Sequence, residues 1–197
     1  MTVIETPRLI LRLAMLDDTE LFYSLWTNPR VMTFVGFPHG LRINQTEVEK
    51  KIEEQDTSTV YGRLLVVISK SYGQAMGECK MMLPDEKGIS RTDVKLLPQF
   101  WGNKYGVEVK QALVNYLFRN TDCLVVEGTP NIDNFASIKM QESVGAKRVN
   151  EGIFEFPESM ADYTCPVPHY VYHVFREDWE RNRSDDQSIL KPENRNR

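Results

Sequence analysis

The chain has 197 residues, of which 41% are hydrophobic and 26% charged, and its formal net charge at pH 7 is −4. This length and composition are typical of a single globular domain. The negative charge argues against a nucleic-acid-binding protein, and no apolar run is long enough to predict a membrane span or a secretion signal. Three widely spaced cysteines without a paired motif favour reduced thiols and a cytoplasmic location.

The N-terminal half of the chain predicts two helices among strands. Alternating leucines from Arg8 to Leu13 predict a half-buried strand. Asp17 and Asp18 then begin a helix whose apolar stripe ends before Pro29. The remaining predictions in this half are a loop at residues 37–40, a polar helix at 45–55, strands at 64–68 and 75–83, and a turn at 84–88.

The C-terminal half begins with a third strand that leads into Leu97. A helix follows, because apolar residues recur at the spacing of one helical face: Val109, Ala112, Leu113, Tyr116 and Leu117. Further predictions are a buried strand at 123–127, a helix from Asn134, and strands beginning at Lys147 and spanning 169–174. We expect an α/β (α+β) domain with a mixed sheet over residues 1–183, and a polar, mobile tail over 184–197.

The segment from Leu97 to Glu108, LPQFWGNKYGVE, connects that third strand to the helix through a glycine-containing turn. Such a turn leaves backbone N–H groups at the helix N-terminus and directs them, with the positive end of the helix dipole, at one point. The pattern is typical of a phosphate-binding site. It lacks the Gly-Lys-Ser/Thr of a P-loop and the glycine spacing of a dinucleotide-binding turn.

The same segment resembles the coenzyme A pyrophosphate loop of the GNAT superfamily of N-acetyltransferases, Gln/Arg-x-x-Gly-x-Gly/Ala. The run from Gln99 to Asn103 fits this pattern, and Lys104 stands where the second small residue is expected. If that position needs a positive φ, the lysine costs ~1 kcal/mol relative to glycine. Three further segments resemble, in the same order, the branch that contains the ribosomal-protein alanine N-acetyltransferases: ETPRLILR (5–12), LWTNPRVM (25–32) and NFASIKMQESVG (134–145).

The resemblance implies one GNAT-type domain, with a central mixed, mostly antiparallel sheet that is splayed at the cofactor site and helices on both faces. It implies acetyl-CoA as co-substrate and no metal. Backbone groups around Leu96 and Leu97 would hold the pantetheine arm, Asn134 would contact it, and Ser137 would lie near the sulfur. The pyrophosphate loop would comprise Gln99, Phe100, Trp101, Gly102, Asn103, Lys104, Tyr105 and Gly106.

Acetyl transfer to an amine requires a base, a donor to the carbonyl oxygen and an acid for the departing thiolate. Glu127 is the first candidate base, because it ends an apolar run and should lie at a strand end. Glu78 and Asp93 are the next candidates, and a solvated acid on the sheet surface is the alternative for all three. Ser137 is the candidate acid, because the helix lacks the tyrosine of many family members, although Asn134 and Ser137 also fit a structural helix cap.

We therefore expect acetyl transfer from acetyl-CoA to a primary amine by direct attack in a ternary complex. The acceptor is a protein N-terminus or a small cationic amine, for which Glu155, Glu158 and Asp162 offer acidic groups. A catalytically silent acyl-CoA-binding or interaction module is the alternative. No nucleic acid or membrane partner is expected, and both a monomer and a homodimer are compatible with the sequence. His169 and His173 are expected on one strand, ~13 Å apart and too far to share a metal.

Overall fold

The structure of the protein is a computed structural model that describes residues 1–189. Eight strands form one sheet in the order β1-β2-β3-β4-β5-β6-β8-β7. The strands are β1 (Thr2–Glu5), β2 (Leu9–Leu13), β3 (Leu65–Ser69), β4 (Ala75–Met81), β5 (Ile89–Leu96), β6 (Val125–Gly128), β7 (Lys147–Phe154) and β8 (Val167–Phe175). Every neighbouring pair is antiparallel except β5 and β6. The predicted mixed, mostly antiparallel sheet is confirmed.

Six α-helices connect the strands: α1 (Thr19–Trp26), α2 (Pro29–Met32), α3 (Gln45–Glu53), α4 (Tyr105–Asn120), α5 (Phe135–Ser143) and α6 (Arg176–Ile189). They cover both faces of the sheet, as the apolar clusters on β3 show. Val67 packs in a cluster with α4, whereas its neighbour Val66 packs in a second cluster with α1 and α3. Successive residues of a strand point to opposite faces, so α4 lies on one face and α1 and α3 lie on the other.

The sheet parts between β5 and β6. These two strands pair only where Ile89–Arg91 meets Val125–Glu127. The rest of β5, from Thr92 to Leu96, pairs with β4 on its other side and has no partner on β6 within residues 1–189. Because the opening faces the turn before α4, the predicted splay of the sheet is confirmed at the predicted position.

Three elements escaped the sequence prediction. Strand β1 is only four residues long. The Asn28-Pro29 pair, predicted to end a helix, also begins α2: the Asn28 side chain accepts the Arg30 N–H at 2.9 Å, and proline is favourable in the first turn. Helix α6 is polar and has no apolar stripe for a sequence pattern to detect. The predicted tail begins within α6 at residue 184, and its residues 190–197 lie outside the described part of the chain.

None of the helices within residues 1–189 has the length and apolar character needed to cross a membrane.

Candidate functional site

The turn between β5 and α4 has two residues in the left-handed region of φ. Gly102 has φ +81°, and Lys104 has φ 59° and ψ 15°. Lys104 is the sole non-glycine residue with positive φ within residues 1–189. The condition considered for Lys104 therefore holds, and the lysine has a backbone conformation that glycine would adopt at lower free energy.

The turn presents backbone N–H groups at the start of α4 that have no partner in the helix. The first hydrogen bond into α4 runs from the Glu108 N–H to the Lys104 carbonyl at 3.2 Å, so the preceding N–H groups of the first turn have no partner within the helix. A Cβ atom placed on Gly102 would meet no heavy atom within 4 Å. Free donors, the helix dipole and open space beside Gly102 together fit a phosphate or pyrophosphate group.

Contacts of two side chains, Trp101 and Arg8, hold this turn in place. The indole N–H of Trp101 donates to the Leu96 carbonyl at 2.7 Å. Arg8 forms an ion pair with Glu108 at 2.5 Å and donates to the Asn103 carbonyl at 3.1 Å. Arg8 belongs to one of the segments that carry the family resemblance, and its contact explains how a residue so far along the chain supports the loop.

The backbone of β5 distinguishes Leu96 from Leu97. The Leu97 N–H donates to the Met76 carbonyl at 2.9 Å, so it points toward β4. Neighbouring residues of a strand direct their backbone groups to opposite sides, so the Leu96 N–H points into the opening between β5 and β6. Of the two predicted pantetheine contacts, Leu96 thus has the N–H available for a ligand in the opening.

Helix α5 lies beside the turn. Its N-terminal end carries Asn134, predicted to contact the pantetheine arm, and Ser137, predicted to lie near the sulfur. The Asn134 side chain accepts the Ser137 N–H at 3.0 Å, which confirms the predicted helix cap. A Cβ atom on Gly106 would lie 3.3 Å from the sulfur of Met140 in α5. The fold therefore brings α5, through Met140, against the start of α4, although the two helices are distant in sequence.

Glu127, the first candidate base, lies near the end of β6 as predicted, and both of its carboxylate oxygens are engaged. Oε1 accepts from Arg91 Nε at 2.8 Å, and Oε2 lies 3.1 Å from His173 Nε2. The side chain is 13% exposed. An amine approaching Glu127 would have to share its carboxylate with these two partners.

Glu78, the next candidate, is buried on the α1 face with a relative exposure of 3%. Its Oε1 accepts from Trp26 Nε1 at 2.9 Å and lies 3.1 Å from Lys95 Nζ. Its Oε2 is buried and has no hydrogen-bond partner within the described part of the chain. A buried carboxylate oxygen without a partner is unfavourable unless a ligand or water completes it.

Glu78 lines a cavity of about 400 Å³ between the sheet and the helices α1, α2 and α3. The other polar residues of its wall are Lys51, Gln55, Lys80, Asp93 and Lys95, and the apolar wall includes Trp26, Met32, Leu41 and Leu64. The volume lies in the range of small-molecule sites, roughly 300–1,000 Å³. Of the three candidate bases, Glu78 and Asp93 line this cavity and Glu127 does not.

The floor of the cavity is an array of opposite charges on β4 and β5. Glu78 faces Lys95 across the two strands, and Lys80 faces Asp93. Desolvation lowers the pKa of Lys95, but the charges and hydrogen bonds of Asp93 and Glu78 outweigh it, so the net pKa is raised. Desolvation raises the pKa of Asp93, and Lys95 outweighs it in the opposite direction. Lys95 and Asp93 therefore both carry charge at neutral pH.

Aromatic side chains join the loop between α2 and α3 to the loop between β7 and β8. Phe37 packs against Phe156 with ring centroids 5.1 Å apart, and the Cys165 N–H donates to the Gly36 carbonyl at 2.9 Å. Asp162 in the second loop is paired with Arg42 at 2.6 Å. The acidic residues predicted to collect a cationic amine, Glu155, Glu158 and Asp162, do not line the cavity.

Lys110 on α4 is a buried lysine that the sequence analysis passed over. Its exposure is 1%, and its Nζ donates to Thr92 Oγ1 at 2.6 Å, on the face of β5 opposite the cavity. Burial lowers the pKa of Lys110 to about 8, against the opposing charges of Asp93 and Glu127. The signal was present in the sequence, because Lys110 stands three, four and seven residues before buried apolar positions of α4.

The two histidines lie on β8, which confirms the predicted strand. Within residues 1–189 no group of three or more His, Cys, Asp or Glu side chains is arranged to hold a metal ion.

A mixed, mostly antiparallel sheet that parts beside the β5–α4 turn, with helices on both faces, is the fold that the sequence resemblance implies. The profile of the acetyltransferase (GNAT) domain family matches residues 8–147. The chain belongs to this family, and the predicted membership is confirmed. The protein is an acetyltransferase, and acetyl-CoA is the co-substrate of such enzymes.

Comparisons with individual proteins agree with this assignment. The chain is 23% identical over 181 residues to the uncharacterized N-acetyltransferase p20 of Bacillus licheniformis, covering 91% of this chain and 99% of that protein. It is similar in fold to the spermidine N-acetyltransferase of Vibrio cholerae solved with CoA and spermine, with a TM-score of 0.70, 14% identity, and coverage of 87% and 98%. A Vibrio cholerae structure described as a ribosomal-protein-serine acetyltransferase gives a TM-score of 0.69, 18% identity, and coverage of 87% and 96%.

Proposed function

We propose that the protein transfers the acetyl group of acetyl-CoA to a primary amine bound in the cavity under α1, α2 and α3, by direct attack in a ternary complex. Acetyl-CoA supplies the acetyl group as a thioester. The β5–α4 turn and the opening in the sheet would hold this co-substrate on one side of β5. The amine would approach from the cavity, which places donor and acceptor on either side of the same strand.

On the co-substrate side, the proposal rests on backbone donors. The free N–H groups at the start of α4 and the open space at Gly102 fit the pyrophosphate. The Leu96 N–H would hold the pantetheine arm or the thioester carbonyl oxygen, which gains negative charge as the amine attacks. Gln99, Phe100, Trp101, Asn103 and Tyr105 complete the loop, and Asn134 would contact the pantetheine from α5.

Glu78 is the proposed base, and one observation carries this choice. Its Oε2 is buried, lacks a partner among the described residues and belongs to a residue that lines the cavity. An ammonium group donating to this oxygen would satisfy it, and the carboxylate would then take a proton as the amine attacks. Glu127 remains a candidate base from sequence, but its pairs with Arg91 and His173 favour a structural role.

Ser137 is the proposed acid for the departing thiolate. Its backbone N–H is bound to the cap residue Asn134, which fixes the first turn of α5, and α5 contacts the start of α4 through Met140. A hydroxyl at this place would donate to the sulfur of a coenzyme held by the turn. Water can take over such a donation, so we expect Ser137 to contribute less than the base does.

The acceptor is a primary amine, and a peptide N-terminus is slightly favoured over a small polyamine. An α-amine has an ordinary pKa of about 8, so an appreciable neutral fraction exists at pH 7 and modest base assistance suffices. A polyamine nitrogen has a higher pKa and needs stronger deprotonation. The segments that resemble the N-terminal acetyltransferases point the same way.

The test is release of free coenzyme A thiol from acetyl-CoA in the presence of pooled amines: peptides with N-terminal alanine or serine, spermidine and an aminoglycoside. Turnover of any of these supports acetyl transfer to an amine. Calorimetric binding of coenzyme A without turnover of any amine would favour the silent acyl-CoA-binding module instead.

A further inference from the structure

We infer that the acceptor is a primary amine that also carries an anionic group, a carboxylate or a phosphate, close enough to the nitrogen for the two groups to reach Glu78 and Lys80 together. This inference rests on the proposed function, since it identifies the class of amine that the cavity beside Glu78 binds. It follows from the charges of the cavity wall and from the two kinds of unpaired group in that wall.

The cavity is cationic rather than acidic. Its charged residues are three lysines and two carboxylates, Lys51, Lys80, Lys95, Glu78 and Asp93, so its wall carries a net charge of +1. The two carboxylates lie among cations, because Lys95 contacts both Glu78 and Asp93 and Lys80 stands opposite Asp93 on the neighbouring strand. A polyamine or an aminoglycoside, with several positive charges, would meet no excess of negative charge there.

Two of the lysines have no acidic partner of their own. Neither Lys51 nor Lys80 forms an ion pair within 4.0 Å in the part of the chain that the structure describes. Lys80 is half-buried next to Asp93, whose carboxylate is held by Lys95. A partly desolvated ammonium without a counter-charge binds an anionic ligand group more favourably than an exposed one does.

Next to these lysines lies a carboxylate oxygen that needs a hydrogen-bond donor. Glu78 Oε2 is a buried acceptor that needs a donor, and an amine nitrogen supplies one. Glu78 and Lys80 are two residues apart on β4, on the same face of the sheet. A ligand that carries both groups could therefore donate to Glu78 through its amine while its anionic group pairs with Lys80.

Two sources share this chemistry: a free amino acid, and a peptide whose N-terminal residue is followed by an acidic side chain. The test compares initial rates with acetyl-CoA for three peptide amides, Ser-Glu-Gly, Ser-Gln-Gly and Ser-Lys-Gly, and for free glutamate and spermidine. We expect kcat/KM for the Glu peptide to exceed that for the Gln peptide about tenfold, and the Lys peptide to be poorest. Comparing free glutamate with the Glu peptide identifies the source.

The Lys80→Gln variant should reduce the preference for the Glu peptide over the Gln peptide to about threefold or less. Lys50→Gln is the matched control, because it removes the same charge from the exposed side of α3 and does not line the cavity. Its preference should equal that of the unaltered protein. The preference should also fall as salt is raised, since it depends on charge.

Equal turnover of the Glu, Gln and Lys peptides, or a preference for spermidine, would overturn the anionic-acceptor inference and leave acetyl transfer itself standing. A preference for the Glu peptide that persists unchanged in Lys80→Gln would support an anionic acceptor but overturn the placement of its anion against Lys80, because the cation would then lie elsewhere. Absence of turnover with every amine would remove the proposed function and this inference with it.

Discussion

Trp26 on α1 donates its indole N–H to Glu78 on β4 over 2.9 Å, in the interior of the protein. This bond fixes one carboxylate oxygen, and Lys95 contacts the same oxygen from β5. The second oxygen is thereby left without a hydrogen-bond partner among residues 1–189, and the two contacts to the first oxygen set its direction. A functional group held by its neighbours before the ligand arrives needs little rearrangement in the reaction.

Replacing Glu78 by glutamine should lower kcat by ~100-fold, the usual scale for losing a general base. Coenzyme A affinity should stay unchanged, because Glu78 lies on the cavity side of the sheet. Glu127→Gln is the matched comparison, since it makes the same change at a carboxylate whose oxygens are both engaged, and it should cost less than tenfold in rate. Kinetics with calorimetry checks both variants.

A thermal unfolding curve must accompany this comparison, because Glu78 is buried and its loss affects packing. Ser137→Ala should lower the rate less than Glu78→Gln does. If Glu127→Gln is nearly inactive while Glu78→Gln retains full rate, Glu127 is the base.

Gly102→Val should abolish coenzyme A binding, because its side chain would enter the space beside the free N–H groups of the turn. The substitution also strains a backbone with φ +81°. Gly73→Val controls for that strain: Gly73 has φ +63°, and a Cβ there meets nothing within 4 Å. We expect both variants to lose about 1 kcal/mol of stability and only Gly102→Val to lose binding. Calorimetry with unchanged affinity in Gly102→Val would remove the turn from the proposed site.

Lys104 allows backbone strain and charge to be separated. Lys104→Gly relieves the positive-φ conformation and should raise the free energy of unfolding by about 1 kcal/mol. Lys104→Gln keeps the strain and removes the charge. If the ammonium contacts a phosphate, both variants should bind coenzyme A more weakly, and the loss should shrink at high salt. Equal affinity in all three proteins would show that the charge has no part in binding.

Lys110→Met should stabilise the protein at pH 7. The pKa of Lys110 is lowered from 10.5 to about 8 by burial, so below pH 8 the folded state carries a buried charge that the unfolded state solvates. Between pH 8 and 10.5 the folded state releases the proton first, and stability rises with pH. The substitution should therefore add up to ~3 kcal/mol at pH 7 and almost nothing at pH 10.5.

Urea unfolding at the two pH values measures this difference, with Lys50→Met on an exposed helix face as the control. The prediction is wrong if the advantage of Lys110→Met is the same at both pH values, since a packing effect alone would not depend on pH.

Local patterns in the sequence predicted most of the strands and the turn between β5 and α4. The turn from Gln99 to Gly106 was recognisable because strand, glycine and helix follow each other along the chain, and the strain at Lys104 follows from one unexpected residue. The cap formed by Asn134 was predictable for the same reason, since a helix cap involves only the next few residues.

The ranking of the carboxylates could not be predicted from sequence. Glu127 ends an apolar run, which is the pattern of a functional acid, but its partners Arg91 and His173 come from two other strands. Glu78 is buried because Trp26 and Lys95 reach it from distant parts of the chain. Cross-strand pairing determines which acids are neutralised, and that pairing leaves no local trace in the sequence.

The opening between β5 and β6 divides the sheet into two blocks, β1 to β5 and β6 to β8, that share only three residue pairs. A slender ligand that carries its own amide groups and lies in the opening would bond to a strand edge there and connect the blocks, as an added strand would. Binding and folding are then one linked equilibrium: a ligand at 100 times its Kd adds about 2.7 kcal/mol to the stability of the folded state. Bound coenzyme would therefore stabilise the folded state as well as supply the acetyl group, and the protein would lose that stabilisation when the coenzyme leaves.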